Sequence, residues 1–218
     1  MSTVSTVTPS NNWSYDRMMR LFGGMWFMLL ALGVAIKIGS SVHDPWPSLL
    51  SSVCLAVFYV LLALLIITRP PAKAQANGRL PRIAAFVGTY MPWTIAFFGE
   101  TDKALPNLAS TACVLIGMIM MLVTIRHLGR SFSLVPQARN VVQTGPYRWI
   151  KHPLYLAEEI AVLGVVLRSP TPLTAVLLVL HIGVQVCRIY YEEDLLRRNC
   201  PEYSGYEASR WRVVPYVW

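Results

Sequence analysis

Two stretches hold the residue types that chemistry needs. Thr144 to Tyr155 reads TGPYRWIKHPLY, and the next apolar segment runs out as RIYYEEDLL from Arg188 to Leu196. Between them they set a histidine, aromatic rings, several cations and adjacent carboxylates at the ends of apolar runs, where charge is costly and needs a reason. Arg188 and Glu192 stand four residues apart and share one helical face, whereas Glu193 is rotated from Glu192 by about 100°. The two neighbouring carboxylates can therefore serve different partners. A carboxylate suits an ammonium group, and a cation or a helix N-terminus suits a carboxylate. Aromatic faces and negative potential suit a sulfonium. S-adenosylmethionine combines these features with an adenine that can lie against apolar side chains, and it is one ligand among several that the residue types admit.

Composition fixes where such a site must be held. The chain has 218 residues, of which 55% are apolar and 14% charged, and its mean hydropathy is +0.47. That is too much apolar surface for one soluble core of ordinary proportions. Apolar runs near the length of a bilayer crossing fall at roughly Met18 to Ile38, Ser48 to Thr68, Ile83 to Gly99, Leu108 to Ile125, Leu154 to Leu167 and Leu173 to Tyr190, the fifth being short. The expected fold is all-α: a polytopic bundle of about six transmembrane helices, with a cytoplasmic cofactor pocket built by the C-terminal half. Residues 1–15 read as a disordered tail without the basic region of a signal peptide. Residues 16–125 read as the N-terminal transmembrane helices, and residues 126–218 as a connector, a helical hairpin and an interfacial tail integrated with them.

Basic residues set the orientation. With a cytoplasmic N-terminus, the inner side collects Arg17, Arg20, Arg69, Lys73, Arg79, Arg82, Arg126, Arg130, Arg139, Arg148, Lys151, Arg188, Arg197, Arg198, Arg210 and Arg212. Lys37, Lys103 and Arg168 remain outside, which is a strong positive-inside bias. It predicts an inner-membrane protein with both termini cytoplasmic. The net charge of +8 then describes a face attracted to anionic membrane lipids and not a nucleic-acid surface.

Soluble-enzyme templates are absent. Cys54, Cys113, Cys187 and Cys200 lack CxxC spacing, and His43, His127, His152 and His181 lack ligand spacing such as HExxH, so no metal site is expected. There is no phosphate-binding glycine loop and no GxSxG elbow. What remains is the polar connector from Arg126 to Pro153, longer than a bundle needs to join two helices. Gly145-Pro146 can turn tightly, Pro153 suits the first turn of the fifth helix, His152 falls at its N-cap and Tyr155 in its first turn. The short RSPTP loop makes the fifth and sixth helices an antiparallel hairpin, which brings His152, Tyr155, Arg188, Glu192 and Glu193 to one depth. Glu158 and Glu159 lie inside the fifth segment, so at least one should face a cavity, the loop or a cation. His181 reads as a hydrogen-bonded packing residue. The tail PEYSGYEASRWRVVPYVW reads as a surface segment that either lids the pocket or anchors the last helix.

The string GPYRWIKHPLYL, the later EEDLL and the following PEYSGYEASRWRVVP closely resemble the isoprenylcysteine carboxyl methyltransferase family and its bacterial relatives, which are also similar to phospholipid methyltransferases. The likeness spans Arg126 to Trp218. It implies an integral membrane methyltransferase that uses S-adenosylmethionine, with a cofactor pocket formed by Gly145, Pro146, Tyr147, His152, Pro153, Tyr155, Glu192 and Glu193. Lys151 stands where the family usually has arginine, and Cys200-Pro201 where it commonly has Phe-Gly. The reading that follows is direct methyl transfer to a lipophilic acceptor, the carboxylate of an isoprenylcysteine-like substrate favoured. Lys151 or Arg188 would hold that carboxylate, and Glu192 would bind the cofactor ammonium or orient Arg188. A phospholipid amine or a thiol is the alternative acceptor. A sterol-type reductase using a nicotinamide cofactor and a non-enzymatic membrane protein are readings of other classes.

Overall fold

A computed structural model describes residues 13–40, 46–70, 74–76, 78–98, 108–133, 135–138 and 140–218. Lys73, Lys103, Arg139 and the tail to residue 12 lie outside the described residues. Six long helices stand where the apolar runs predict them: α1 (Trp13–Ser40), α2 (Trp46–Thr68), α3 (Leu80–Phe98), α4 (Leu108–Leu128), α5 (Pro153–Arg168) and α6 (Pro172–Asn199). A short α7 (Tyr203–Ala208) follows. Among the described residues three stretches are long and apolar enough to cross a membrane, Arg20–Ser40, Leu108–Ser131 and Pro172–Asn199. The expectation of about six spans is met at that strength by α1, α4 and α6. Helix α5 has 16 residues, about 24 Å at 1.5 Å per residue, short of a hydrocarbon core of about 30 Å.

The outer surface is apolar. Leu21, Phe22, Leu29, Leu32 and Ile36 of α1, Ile116, Ile119 and Val123 of α4, and Val176, Val179 and Leu180 of α6 are all exposed, while Thr174, His181, Gln185, Arg188 and Glu193 are buried on α6. This is the arrangement expected of helices whose solvent is lipid.

Helix α5 packs chiefly on α4, α1 on α2, and α6 on α3. Small residues let α4 and α5 approach closely. A Cβ on Gly117 would come within 2.6 Å of the Ala161 nitrogen and one on Gly164 within 2.7 Å of the Val114 nitrogen, and Ser110 Oγ donates to Gly164 O at 2.6 Å. In lipid, where apolar side chains gain little by meeting one another, such close packing and hydrogen bonding hold helices together. The α5–α6 turn is tied by Thr171 and Thr174, whose side chains bond each other's backbone nitrogens at 3.1 and 3.0 Å, with Pro172 at the first helical position.

One end of the bundle is basic and laced together. Arg20 Nη1 donates to Arg69 O at 2.6 Å, and Arg130 Nε to Thr68 O at 2.9 Å. The connector is more ordered than a bare loop. Its β2 (Gln137–Ala138) pairs antiparallel with β1 (Ala74–Gln75) from the α2–α3 link, and Ala76, Ala138, Leu195, Cys200, Tyr203 and Tyr206 form a small core beneath.

Candidate active site

A single-turn 3-10 helix at Gly145–Arg148 delivers the first residues of the site. Gly145 has φ +58 and any Cβ there would overlap the His127 ring, so only glycine suits the turn. The turn buries Tyr147, whose phenol is pushed well above its ordinary value, burial being the main cause. The C-terminal tail then takes hold of the chain. Lys151 N donates to Trp211 O at 2.8 Å, His152 N to Arg212 O at 2.9 Å, and Tyr206 Oη to Tyr147 O at 2.7 Å. Burial pushes the Tyr206 hydroxyl up to about 12, consistent with its service as a donor. Pro153 starts α5, with His152 at the N-cap position and no side-chain capping bond.

The two carboxylates of α6 part company as their spacing predicts. Glu193 has no exposed surface and sits among nitrogen atoms: Lys151 Nζ at 2.9 Å, His152 Nε2 at 3.2 Å, Arg197 Nη2 at 2.9 Å and Arg212 Nε at 3.1 Å. Glu192 turns the other way and accepts from Tyr155 Oη at 3.1 Å. His152 lies between them, its Nδ1 3.9 Å from Glu192 and its ring stacked on Tyr155 at 5.6 Å. Arg188 is one turn deeper. Its guanidinium lies over the Tyr155 ring at 4.9 Å, Nη1 donates to Gln185 Oε1 at 2.8 Å, and buried Nε has no hydrogen-bond partner among the described residues. Gly88 of α3 makes room for it, since a Cβ there would come within 2.7 Å of Nη1.

These side chains close one end of a cavity of about 830 Å³. Tyr147, Lys151, His152, Tyr155, Arg188 and Glu192 line its polar end, with Glu158 above them. Beyond them the walls are Phe27, Phe58, Tyr59, Trp93, Met118 and Met121 from the first four helices. Of the residues expected at the site, Glu193, Gly145, Pro146 and Pro153 lie outside the lining and shape it from behind. Lys151 reaches the lining while also meeting Glu193 and, at 3.5 Å, Glu207.

Several participants were not singled out in the sequence. Arg197 and Arg212 clamp Glu193, and Arg212 is held between the Tyr190 and Trp218 rings at 5.2 and 5.3 Å. Gln185 joins Arg188 to Glu158, donating to Glu158 Oε2 at 2.7 Å. The signal for this second group was available: His181, Gln185, Arg188 and Glu192 recur at intervals of four, three and four along one face of α6. The tail lid-or-anchor alternative resolves into a clamp, because Trp211 and Arg212 pair with the connector beside Ile150.

Comparison with known proteins falls on the same stretch. Residues 106–202 match the phospholipid methyltransferase family. Over 102 residues the chain is 29% identical to the nickel-cobalt-cadmium resistance protein NccN of Alcaligenes xylosoxydans xylosoxydans, covering 44% of this chain and 47% of that protein. The chain thus spans about half the length of the curated relative it matches. The matched region holds α4, the connector, α5 and α6, the elements that supply the side chains at the polar end of the cavity.

Proposed function

We propose that the protein is an integral membrane methyltransferase that moves a methyl group from S-adenosylmethionine to a lipophilic acceptor, with both chain termini and the cofactor mouth on the cytoplasmic side of a bacterial inner membrane and six helices acting as spans. The observation that carries this reading is the two-part cavity: one end is charged and aromatic, and the remainder, lined by helices α1 to α5, is mostly apolar. A water-soluble cofactor and a greasy acceptor need such a pair of environments meeting at one point.

The residues fit the cofactor. Glu192 lines the cavity with a carboxylate for an ammonium group, Tyr147 and Tyr155 offer aromatic surface near a cation, and Arg188 keeps an unmatched buried Nε–H for an anionic oxygen. When bound, the cofactor supplies a methyl already activated by its sulfonium. The protein's part is to align the acceptor behind that methyl and to exclude water, which lowers the barrier by several kcal/mol. Arg188 would hold an acceptor carboxylate. No covalent enzyme intermediate is needed. Arg188 suits this task better than Lys151, whose ammonium is already shared by Glu193 and Glu207. Lys151, Gly145, Pro146, Pro153 and Glu193 act by fixing the pocket's shape and charge.

A second acceptor class has its own support. Glu158 lines the cavity beside Arg188, and a carboxylate there suits removal of a proton from a phospholipid amine, in keeping with the family match over residues 106–202. Purified protein in lipid, given methyl-labelled S-adenosylmethionine with an S-prenylated N-acetylcysteine in one arm and phosphatidylethanolamine vesicles in another, distinguishes the two. Label should enter one acceptor, and Glu192→Ala should abolish it. No labelled lipid in either arm and no cofactor binding would overturn the proposal.

A further inference from the structure

Behind Arg188 lies a cluster of charge of which the proposed reaction uses only Arg188 and, with an amine acceptor, Glu158. Helix α5 contributes Glu158 and Glu159, α6 contributes His181, Gln185 and Arg188, and α3 contributes the Gly88 carbonyl. His181 has no exposed surface. Its Nε2 donates to Gly88 O at 3.1 Å, and that carbonyl is available for a reason written in the sequence: the residue four further along α3 is Pro92, which has no N–H to give it. With Nε2 committed as the donor, Nδ1 faces Glu159 Oε1 at 2.9 Å. Both atoms are buried and neither makes a hydrogen bond of good geometry among the described residues. Two bare acceptor atoms so close together in a water-poor interior repel, so a proton belongs to the pair.

The charge count leads to the same place. Glu158 and Glu159 are two negative charges against one on Arg188, which stands 4.0 Å from Glu158. An imidazolium at His181, 4.0 Å from Glu158 Oε1 as well as against Glu159, brings the sum to zero. A balanced cluster is the affordable one among apolar helices.

We propose that His181 is a positioning residue: it carries the proton that neutralises Glu159, which leaves Glu158 and Gln185 to hold the Arg188 guanidinium at the cavity wall. The inference rests on the reading of Arg188 as the acceptor-binding group. His181 touches neither cofactor nor acceptor, and it acts through the chain His181–Glu158–Gln185–Arg188 along two facing helices.

The test uses three variants of the full-length protein in lipid. In His181→Asn the amide can still donate to Gly88 O, but Glu159 loses the proton that His181 supplies and the cluster keeps one uncompensated negative charge. Methyl transfer to whichever acceptor arm is active should therefore show a KM raised about tenfold with kcat little changed, and S-adenosylmethionine affinity unchanged. Glu159→Gln alone should stay within about twofold, because His181 can release its proton. The double variant His181→Asn/Glu159→Gln should recover the wild-type profile. Additive damage in the double variant, or an unchanged KM in His181→Asn, would overturn the proposal. Thermal unfolding of the same four proteins reads the pair without any activity: the midpoint of His181→Asn should fall below that of the wild type and be restored by adding Glu159→Gln. A wild type that binds no S-adenosylmethionine would defeat the methyltransferase reading, while the unfolding series would still judge the proton assigned to His181.

Discussion

Adjacent carboxylates on one helix end have opposite fates, and that contrast is the sharpest prediction available from single residues. Glu193 is enclosed by three cations and the His152 ring, from the connector, α6 and the tail, whereas Glu192 faces the cavity and bonds Tyr155. Removing a buried partner strands the charges around it, a loss on the order of 3 kcal/mol. Glu193→Ala should thus lower the unfolding midpoint clearly and reduce every activity with it. Glu192→Ala should leave the midpoint near wild type and weaken S-adenosylmethionine binding by at least about tenfold, the value of one charge-assisted hydrogen bond. Isothermal titration alongside thermal unfolding separates the two, and equal behaviour of the variants would refute the division of labour. Arg188→Lys belongs to the same scale. A lysine keeps the charge but offers neither the planar fork nor the stacking over Tyr155, so KM for the acceptor should rise about tenfold while cofactor affinity holds. Loss of cofactor binding instead would move Arg188 to the other half of the cavity.

At the scale of elements, the position of the site depends on how closely α5 lies against α4, and that spacing is set by glycines. Gly117→Leu or Gly164→Leu should separate the helices and lower thermal stability by roughly 1–3 kcal/mol or more, whereas Gly183→Ala on α6, with open space around it, should be tolerated. The short α7 offers a pH test. Glu207 is held below the usual carboxylate range, first by its hydrogen bonds from Arg197, so its contribution is present above about pH 4.5 and is lost as pH falls through its lowered value. Acid unfolding should begin in the tail, and Glu207→Gln should flatten that limb when tail proteolysis is followed against pH. The helices themselves were legible: six apolar runs predicted six helices and Pro153 marked the start of α5, although α6 runs on past Tyr190 through its charged end to Asn199. The split between Glu192 and Glu193 was legible too, because it follows from 100° per residue. The grip of the tail was not. Trp211, Arg212 and Glu207 meet Lys151 and His152 only through chain separations of about sixty residues, and nothing local in RWRVVPYVW announces the partner. His181 was read as packing because a lone histidine in an apolar run carries no sign of Pro92, which lies on another helix and frees the carbonyl it binds.

For the molecule as a whole, the open question of physics is whether helices too short or too polar to span by themselves do so in company. Helix α5 is about 24 Å long, yet exposed Arg168 at its far end can reach outward and the bilayer can thin around a tight α4–α5 pair at modest cost. If it spans, an even count of crossings puts Lys37 at the end of α1 and Arg168 at the end of α5 on one side. Arg79 before α3 and Arg198 at the end of α6 then fall on the other. All four side chains are exposed, so each can be replaced by cysteine in a chain whose four native cysteines have been removed and probed with a membrane-impermeant maleimide on intact cells and on inverted vesicles. Lys37→Cys and Arg168→Cys should label only from outside, and Arg79→Cys and Arg198→Cys only from inside. Labelling of Arg168→Cys from inside would mean that α5 enters and returns without crossing. The charge distribution argues for the first outcome, since it gathers Arg20, Arg69, Arg130, Arg197 and Arg212 at the end that also carries the polar end of the cavity. In the proposed reaction a water-soluble cofactor held at that end would lie against Glu192, with the apolar chamber beyond Arg188 left to the acceptor.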